Sequence, residues 1–213
     1  MFGAIVVKVK LTEKLDSDIL VVGFGMVNKK LKIEPGLSQI DTSALLATLT
    51  AIGATGKADE VIKLPGKNCK VIVFTGLGEL TDTLSTETLR RAAGAAAATL
   101  AGNASACFAL PHKSVVEISA IAEGAALGAY SFNEFKGATK DESKKALTLV
   151  SLLTKFSKTD PAKAVARRAE IIAEQTHLVR DLVNTPPSHL TPDSFSQRVK
   201  KLASKCGVKV EIL

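Results

Sequence analysis

The chain has 213 residues, 46% apolar and 23% charged, ordinary globular proportions that leave room for one sizeable domain and part of another, since domains run on the order of 100 to 200 residues. Aromatic residues make up only 4%, with no Trp and Tyr130 as the single Tyr, which excludes an aromatic-rich core and leaves Val, Ile, Leu and Ala to build it. The net charge of +7 raises nucleic-acid binding, but the excess sits in two segments: residues 136–168, with nine basic against three acidic, and residues 198–209, with five against none. Neither interleaves aromatics as single-stranded nucleic-acid platforms require, and neither carries a helix-turn-helix pattern. Solvated helix faces account for the charge, with DNA binding as the alternative.

In chain order, Met1 to Lys8 alternates like a strand and has no basic region, apolar run or small-residue cleavage site, so nothing there exports the protein. Short Val- and Ile-rich runs then alternate with Ala-rich helical stretches, the pattern of an α/β domain. Strands are expected at 4–10, 18–24, 60–64, 70–75, 105–110 and 146–153, and helices at 38–52, 86–101 and 114–132. Ser38 after Pro35-Gly36 announces the first helix and Ser85 the second, and Gly53 and Gly102 supply stops. The run Lys70-Val71-Ile72-Val73-Phe74 is apolar nearly throughout, so its strand belongs in the middle of a sheet covered on both faces. Residues 92–110 carry no charge, yet they are mostly small residues interrupted by Gly102-Asn103, too weakly hydrophobic to span a membrane.

Asp160-Pro161 signals the start of a long helix that Thr185-Pro186-Pro187 ends, because Pro disfavours helical geometry at the residue before it and removes a donor. Thr191-Pro192-Asp193 opens another helix to Cys206-Gly207, and residues 208–213 read as a strand whose alternating Val208, Val210 and Ile212 face a missing layer.

No catalytic constellation emerges from these residues. Gly23-Phe24-Gly25 and Gly76-Leu77-Gly78 follow strands without completing a phosphate-binding fingerprint, and turn glycines explain them better. His112, His177 and His189 have no second ligand at metal spacing; His177 lies at helical spacing from Glu174 and Asp181, as in a solvated helix pair. No GxSxG frames a serine nucleophile. Cys69, Cys107 and Cys206 are odd in number and widely spaced, so they read as free thiols in a reducing compartment.

Three segments in order carry a resemblance: residues 122–136 (AEGAALGAYSFNEFK), 179–187 (VRDLVNTPP) and 189–192 (HLTP). They resemble the leucyl aminopeptidase (cytosol aminopeptidase) family, in which an EGxxLGxYxFxxxK segment precedes an RDLxNxPxNxLTP segment; Ser188 stands where the family often has Asn. Gly76-Leu77-Gly78 and Leu89-Arg90-Arg91-Ala92-Ala93-Gly94 are similar to its amino-terminal domain.

The resemblance implies a three-layer α/β/α macro-like domain over residues 1–157, a linker helix over 158–184, and over 185–213 the first helix and strand of a truncated metallopeptidase domain. It implies a cytoplasmic hexamer whose parent chain cleaves amino-terminal residues from peptides with two divalent ions, Mn or Zn, held by a lysine and carboxylates beyond this chain. No catalytic, metal or cofactor residue is therefore carried over, and the chain alone is expected to be inactive. The alternative is a free-standing assembly or binding protein with a protein partner, an ADP-ribose-like ligand or DNA; fold alone does not choose.

Overall fold

A computed structural model describes residues 6–135 and 144–212, which divide into two compact units, Met1–His177 and Leu178–Leu213. The first unit is built on a seven-stranded sheet: β1 (Lys8–Thr12), β2 (Ile19–Val27), β3 (Lys30–Glu34), β4 (Val61–Pro65), β5 (Val71–Glu79), β6 (Ser105–Ala109) and β7 (Leu149–Leu153), in the order β1-β7-β6-β2-β5-β4 with β3 beside β2. β1, β7, β6, β2 and β5 run parallel, while β3 and β4 are antiparallel to their neighbours.

Period-two alternation divides the core into two clusters. Ile19 and Val21 of β2, Val73 of β5, Ala106 and Phe108 of β6, and Val150 and Leu152 of β7 point to one face. There they meet α2 (Thr86–Ala98), α3 (Val115–Gly128) and the buried Ala169 and Ala173 of α4 (Asp160–Asn184). The intervening Leu20, Val22, Phe24, Ile72, Phe74, Cys107, Ala109 and Leu153 point to the other face, under Leu49 of α1 (Thr42–Ala51). The architecture is thus the expected α/β/α layering, and β5 is covered on both faces as its apolar run requires. Burying Phe24, Phe74 and Phe108 contributes about 1.5 to 3 kcal/mol each.

Local chemistry explains most element ends. Ser85 accepts the Thr88 amide at the start of α2, and Ser114 and Glu117 form a reciprocal capping box on α3. α4 starts at Asp160 ahead of Pro161 and ends at Asn184, before the double proline. Ser38 does not cap α1; it bonds the Pro35 carbonyl inside a turn, and Asp41 caps the helix instead. β1 and β7 form at Lys8–Thr12 and Leu149–Leu153, later than their apolar runs begin, because each is defined by its parallel ladder with the other. α3 stops at Gly128 rather than at 132.

β3 was not expected from the sequence. It follows a two-residue hairpin turn in which Asn28 and Lys29 both have positive φ (50° and 63°), a turn without the glycine that usually marks it. In the second unit, α5 (Pro192–Lys205) is capped by Thr191. The strand expected over 208–213 is not formed at 208–212, since none of the ladders among the described residues reaches it; Leu213 lies outside those residues. Alternation alone cannot make a strand without a partner to receive its backbone bonds.

α2 and α3 approach through small residues. A Cβ on Gly124 would sit 2.0 Å from the Arg90 carbonyl oxygen, and one on Gly128 would sit 2.3 Å from that of Gly94. Gly124→Ala should gain about 1 kcal/mol of helix propensity. Forcing the helices apart outweighs it, and a net loss of about 1 to 3 kcal/mol is expected in urea denaturation.

Candidate functional site

In parallel α/β sheets the carboxyl ends of the strands are the usual place for a ligand, and both Gly-x-Gly segments lie there. They are strand residues and not turns: Gly23 and Gly25 belong to β2, Gly76 and Gly78 to β5, and the two strands pair with a register break between Phe24 and Met26. The space a phosphate would need is filled by backbone. A Cβ on Gly76 would fall 1.8 Å from the Lys57 carbonyl oxygen, and one on Gly56 would fall 2.7 Å from the Cα of Gly25.

The loop doing this is braced by Glu60, whose carboxylate accepts the Thr55 amide (3.1 Å) and hydroxyl (2.6 Å). Burial opposes charge on Glu60, but the bonds from Thr55 and the Gly56 and Lys57 amides outweigh it and hold its pKa below the ordinary carboxylate value. The glycines therefore serve close backbone packing. Gly76→Ala is expected to cost about 1 to 3 kcal/mol in chemical denaturation, the range of an overpacked core site.

His112 lies at the same edge. Its Nδ1 is 2.9 Å from the Leu110 carbonyl oxygen and its Nε2 is 2.9 Å from Oγ1 of Thr154, a fully buried residue just past β7. Burial pushes the His112 pKa down, the Leu110 bond and the Glu117 charge oppose that, and Lys155 adds to it.

His177 is not the solvated residue its spacing suggests. It is fully buried, its ring 5.2 Å from that of Tyr130 and its Nε2 3.4 Å from the Leu127 carbonyl oxygen. Glu174 and Asp181 share its helix, but the face His177 occupies is the one that packs inward with Ala166, Ala169 and Ala173. His189, in the second unit, sits beside the Ser188 hydroxyl at 3.0 Å. The three histidines are thus in three separate settings, and among the described residues no three His, Cys, Asp or Glu side chains converge as metal ligands would.

Sequence reasoning missed a groove of about 1190 Å³ beside α1, floored by Leu20, Ile72 and Leu153 and rimmed by Glu13, Asp16, Asp18 and Asp41. Its carboxylates are engaged locally: Asp16 with Lys10 at 2.7 Å, Asp18 with Lys70 at 2.6 Å, Glu13 with Ser157 at 2.7 Å, and Asp41 at the cap of α1. Only the tertiary fold assembles it, because its walls come from positions far apart in the chain.

Three cations of α4 are likewise partnered, Lys163 with Asp160, Arg167 with Glu170 and Arg168 with Glu123. Residues 136–143 of the first basic segment lie outside the described residues.

All three cysteines are free; Cys107 is buried, Cys69 partly so, and Cys206 exposed. Burial pushes the Cys107 thiol up to about 12, so it is neutral at any working pH. A native thiol assay at pH 8 should therefore label Cys206 rapidly and Cys107 only after unfolding.

The model for the amino-terminal domain of the cytosol aminopeptidase family matches residues 21–139. The chain belongs to that family. A protein of Streptomyces griseus named "Probable cytosol aminopeptidase" is 39% identical over 219 residues, covering 93% of this chain and 42% of the relative. A protein of Rhodococcus jostii with the same name is 39% identical over 204 residues, covering 92% and 40%. The chain thus spans about two-fifths of the length of these cytosol aminopeptidase relatives. Among solved structures, a tomato leucine aminopeptidase mutant shares the fold with a TM-score of 0.69 at 22% identity, over 94% of this chain and 43% of that one. The bottromycin maturation enzyme BotP does so with a TM-score of 0.64 at 24% identity, over 91% and 38%. No helix among the described residues is long and apolar enough to cross a membrane.

Proposed function

We propose that this chain is the amino-terminal assembly and regulatory portion of a leucyl aminopeptidase, a hydrolase that releases amino-terminal residues from peptides and uses two divalent metal ions in a part of the protein beyond these residues. The observation that carries the reading is the match of residues 21–139 to the family's amino-terminal domain. The division into an amino-terminal domain at 1–157, a linker helix at 158–184 and the opening of the metallopeptidase domain at 185–213 is part of the same proposal.

Among the described residues the side chains do not fit the implied metal pair. Among the described residues no cluster of three potential ligands exists, whereas two-metal hydrolysis needs several carboxylates at one place. The bottromycin maturation enzyme BotP, which shares this fold, has been solved in complex with Mn, and the pair implied for the parent is Mn or Zn. A homo-oligomer, a hexamer as in the family, and a cytoplasmic location complete the reading. The names of the relatives support the location.

The purified chain should hydrolyse a leucine anilide no faster than buffer, with Mn²⁺ or Zn²⁺ added. Metal-dependent turnover that survives repurification and disappears with a chelator would place the active site within these residues and defeat the proposal.

A further inference from the structure

At the carboxyl edge of the sheet, one buried residue, Thr154, joins the ends of three strands through its amide and its hydroxyl. The Thr154 amide donates to the Thr12 carbonyl at the end of β1 (2.8 Å), and its Oγ1 accepts the Phe156 amide (3.1 Å). The same Oγ1 lies 2.9 Å from Nε2 of His112, which follows β6. Thr154 is fully buried, so each bond it makes replaces one that water would otherwise supply.

Proton bookkeeping fixes the state of the ring. Nδ1 faces a carbonyl oxygen, which can only accept, so Nδ1 carries the proton and donates. Nε2 is then a lone pair that accepts the Thr154 hydroxyl, while a lone pair of Oγ1 takes the Phe156 amide. With the hydroxyl hydrogen placed in the bond to Nε2, the imidazole is neutral. A proton added at Nε2 would point a second donor at the hydroxyl, and the hydroxyl hydrogen would have to leave the bond.

We propose that His112 and Thr154 form an acid-operated latch, which closes the turn after β6 onto the turn after β7 while the imidazole is neutral and releases both turns when it is protonated. The charged groups around the ring are Glu117 of α3, which favours the proton, and Lys155 of the β7 turn, which opposes it. The Lys113 amide, one residue on, is tied to Glu117 by a bond of 2.5 Å. The Phe156 ring tilts against the imidazole at a centroid distance of 6.4 Å, and the Lys155 ammonium lies 5.4 Å over that ring. Release therefore frees an aromatic side chain that packs on the main core cluster.

The sign of the pH effect follows from the depressed pKa of His112. The unfolded or released chain takes up the proton first, at the ordinary value of about 6.5. The latch thus contributes fully above that value, and its contribution is lost as the pH falls from there through the lower folded value.

The test uses the whole chain, ¹⁵N-labelled. Ring ¹⁵N shifts at pH 7.5 should show the Nδ1–H tautomer of His112. Amide exchange, corrected for the intrinsic pH dependence, should show protection of Phe156 falling about tenfold between pH 7.5 and pH 5.0, the equivalent of one net hydrogen bond, with Val73 of β5 unchanged. Thr154→Val should show the lowered Phe156 protection already at pH 7.5, and Thr154→Ser should restore the wild-type profile. If Thr154→Val does not fold, the wild-type and Thr154→Ser measurements decide. An Nε2–H tautomer, equal Phe156 protection at the two pH values, or a parallel loss at Val73 overturns the latch.

Discussion

The whole structure depends on one constraint, the burial of β2 on both faces and along both edges. Seven consecutive residues, Ile19 to Gly25, are buried, so their side chains must alternate between two apolar layers while every backbone group finds a strand partner. The first demand places three helices on one side and α1 on the other. The second is met by β5 along one edge and by two strands in succession along the other, β6 at Leu20 to Val22 and β3 at Gly23 to Val27. β3 exists because the far half of β2 would otherwise carry an unpaired edge into the core.

The two faces are finished differently. Over one, the small side chains and glycines of α2 and α3 let backbone approach backbone. Over the other, the sheet becomes polar toward β1, where Lys8, Lys10 and Thr12 alternate with Val9 and Leu11. The segment at 13–18 crosses this polar region, with Asp16 bonded to Ser151 and Ser17 to Ser105. The groove beside α1 is what remains between that segment and the helix. Its floor is apolar where β2 and β5 lie beneath it, and its rim is charged and compensated.

How much of this was legible in the sequence depended on the range of the interaction. The α/β class, the central strand at 70–75, the Ser85 and Ser114 starts, and both ends of α4 were readable because each rests on residues within one or two turns of each other. The family resemblance was readable for the same reason, as contiguous motifs. β3 was hidden by an Asn-Lys turn that lacks the usual glycine, and His177 was misjudged because helical spacing shows which residues share a face and not whether another helix covers it. Thr154 had no signal at all: its importance lies in a histidine 42 residues away.

The acidic residues show most clearly how position outweighs composition. Glu170 of α4 accepts the Val9 amide at 2.8 Å, on the outer side of the edge strand β1, with Arg167 and Lys8 against the same carboxylate. Burial works against its charge, yet the Val9 amide and those cations hold its pKa below the ordinary value. Glu123 gathers Arg90 of α2, Ser119 of its own helix and Arg168 of α4. Glu117 closes the start of α3, and Glu60 holds the loop against the glycines of β2 and β5. Each is a half-buried carboxylate engaged by a backbone amide, a hydroxyl or a cation, from nearby residues at Glu60 and Glu117 and from other elements at Glu123 and Glu170. A carboxylate used in that way is a brace: moving it to a metal would leave its amide or its cation unpaired in a partly dry setting, at a cost of about 1 to 3 kcal/mol for each buried polar group stranded. Their placement, more than the number of acidic residues, ties the helices and loops to the strands they cover.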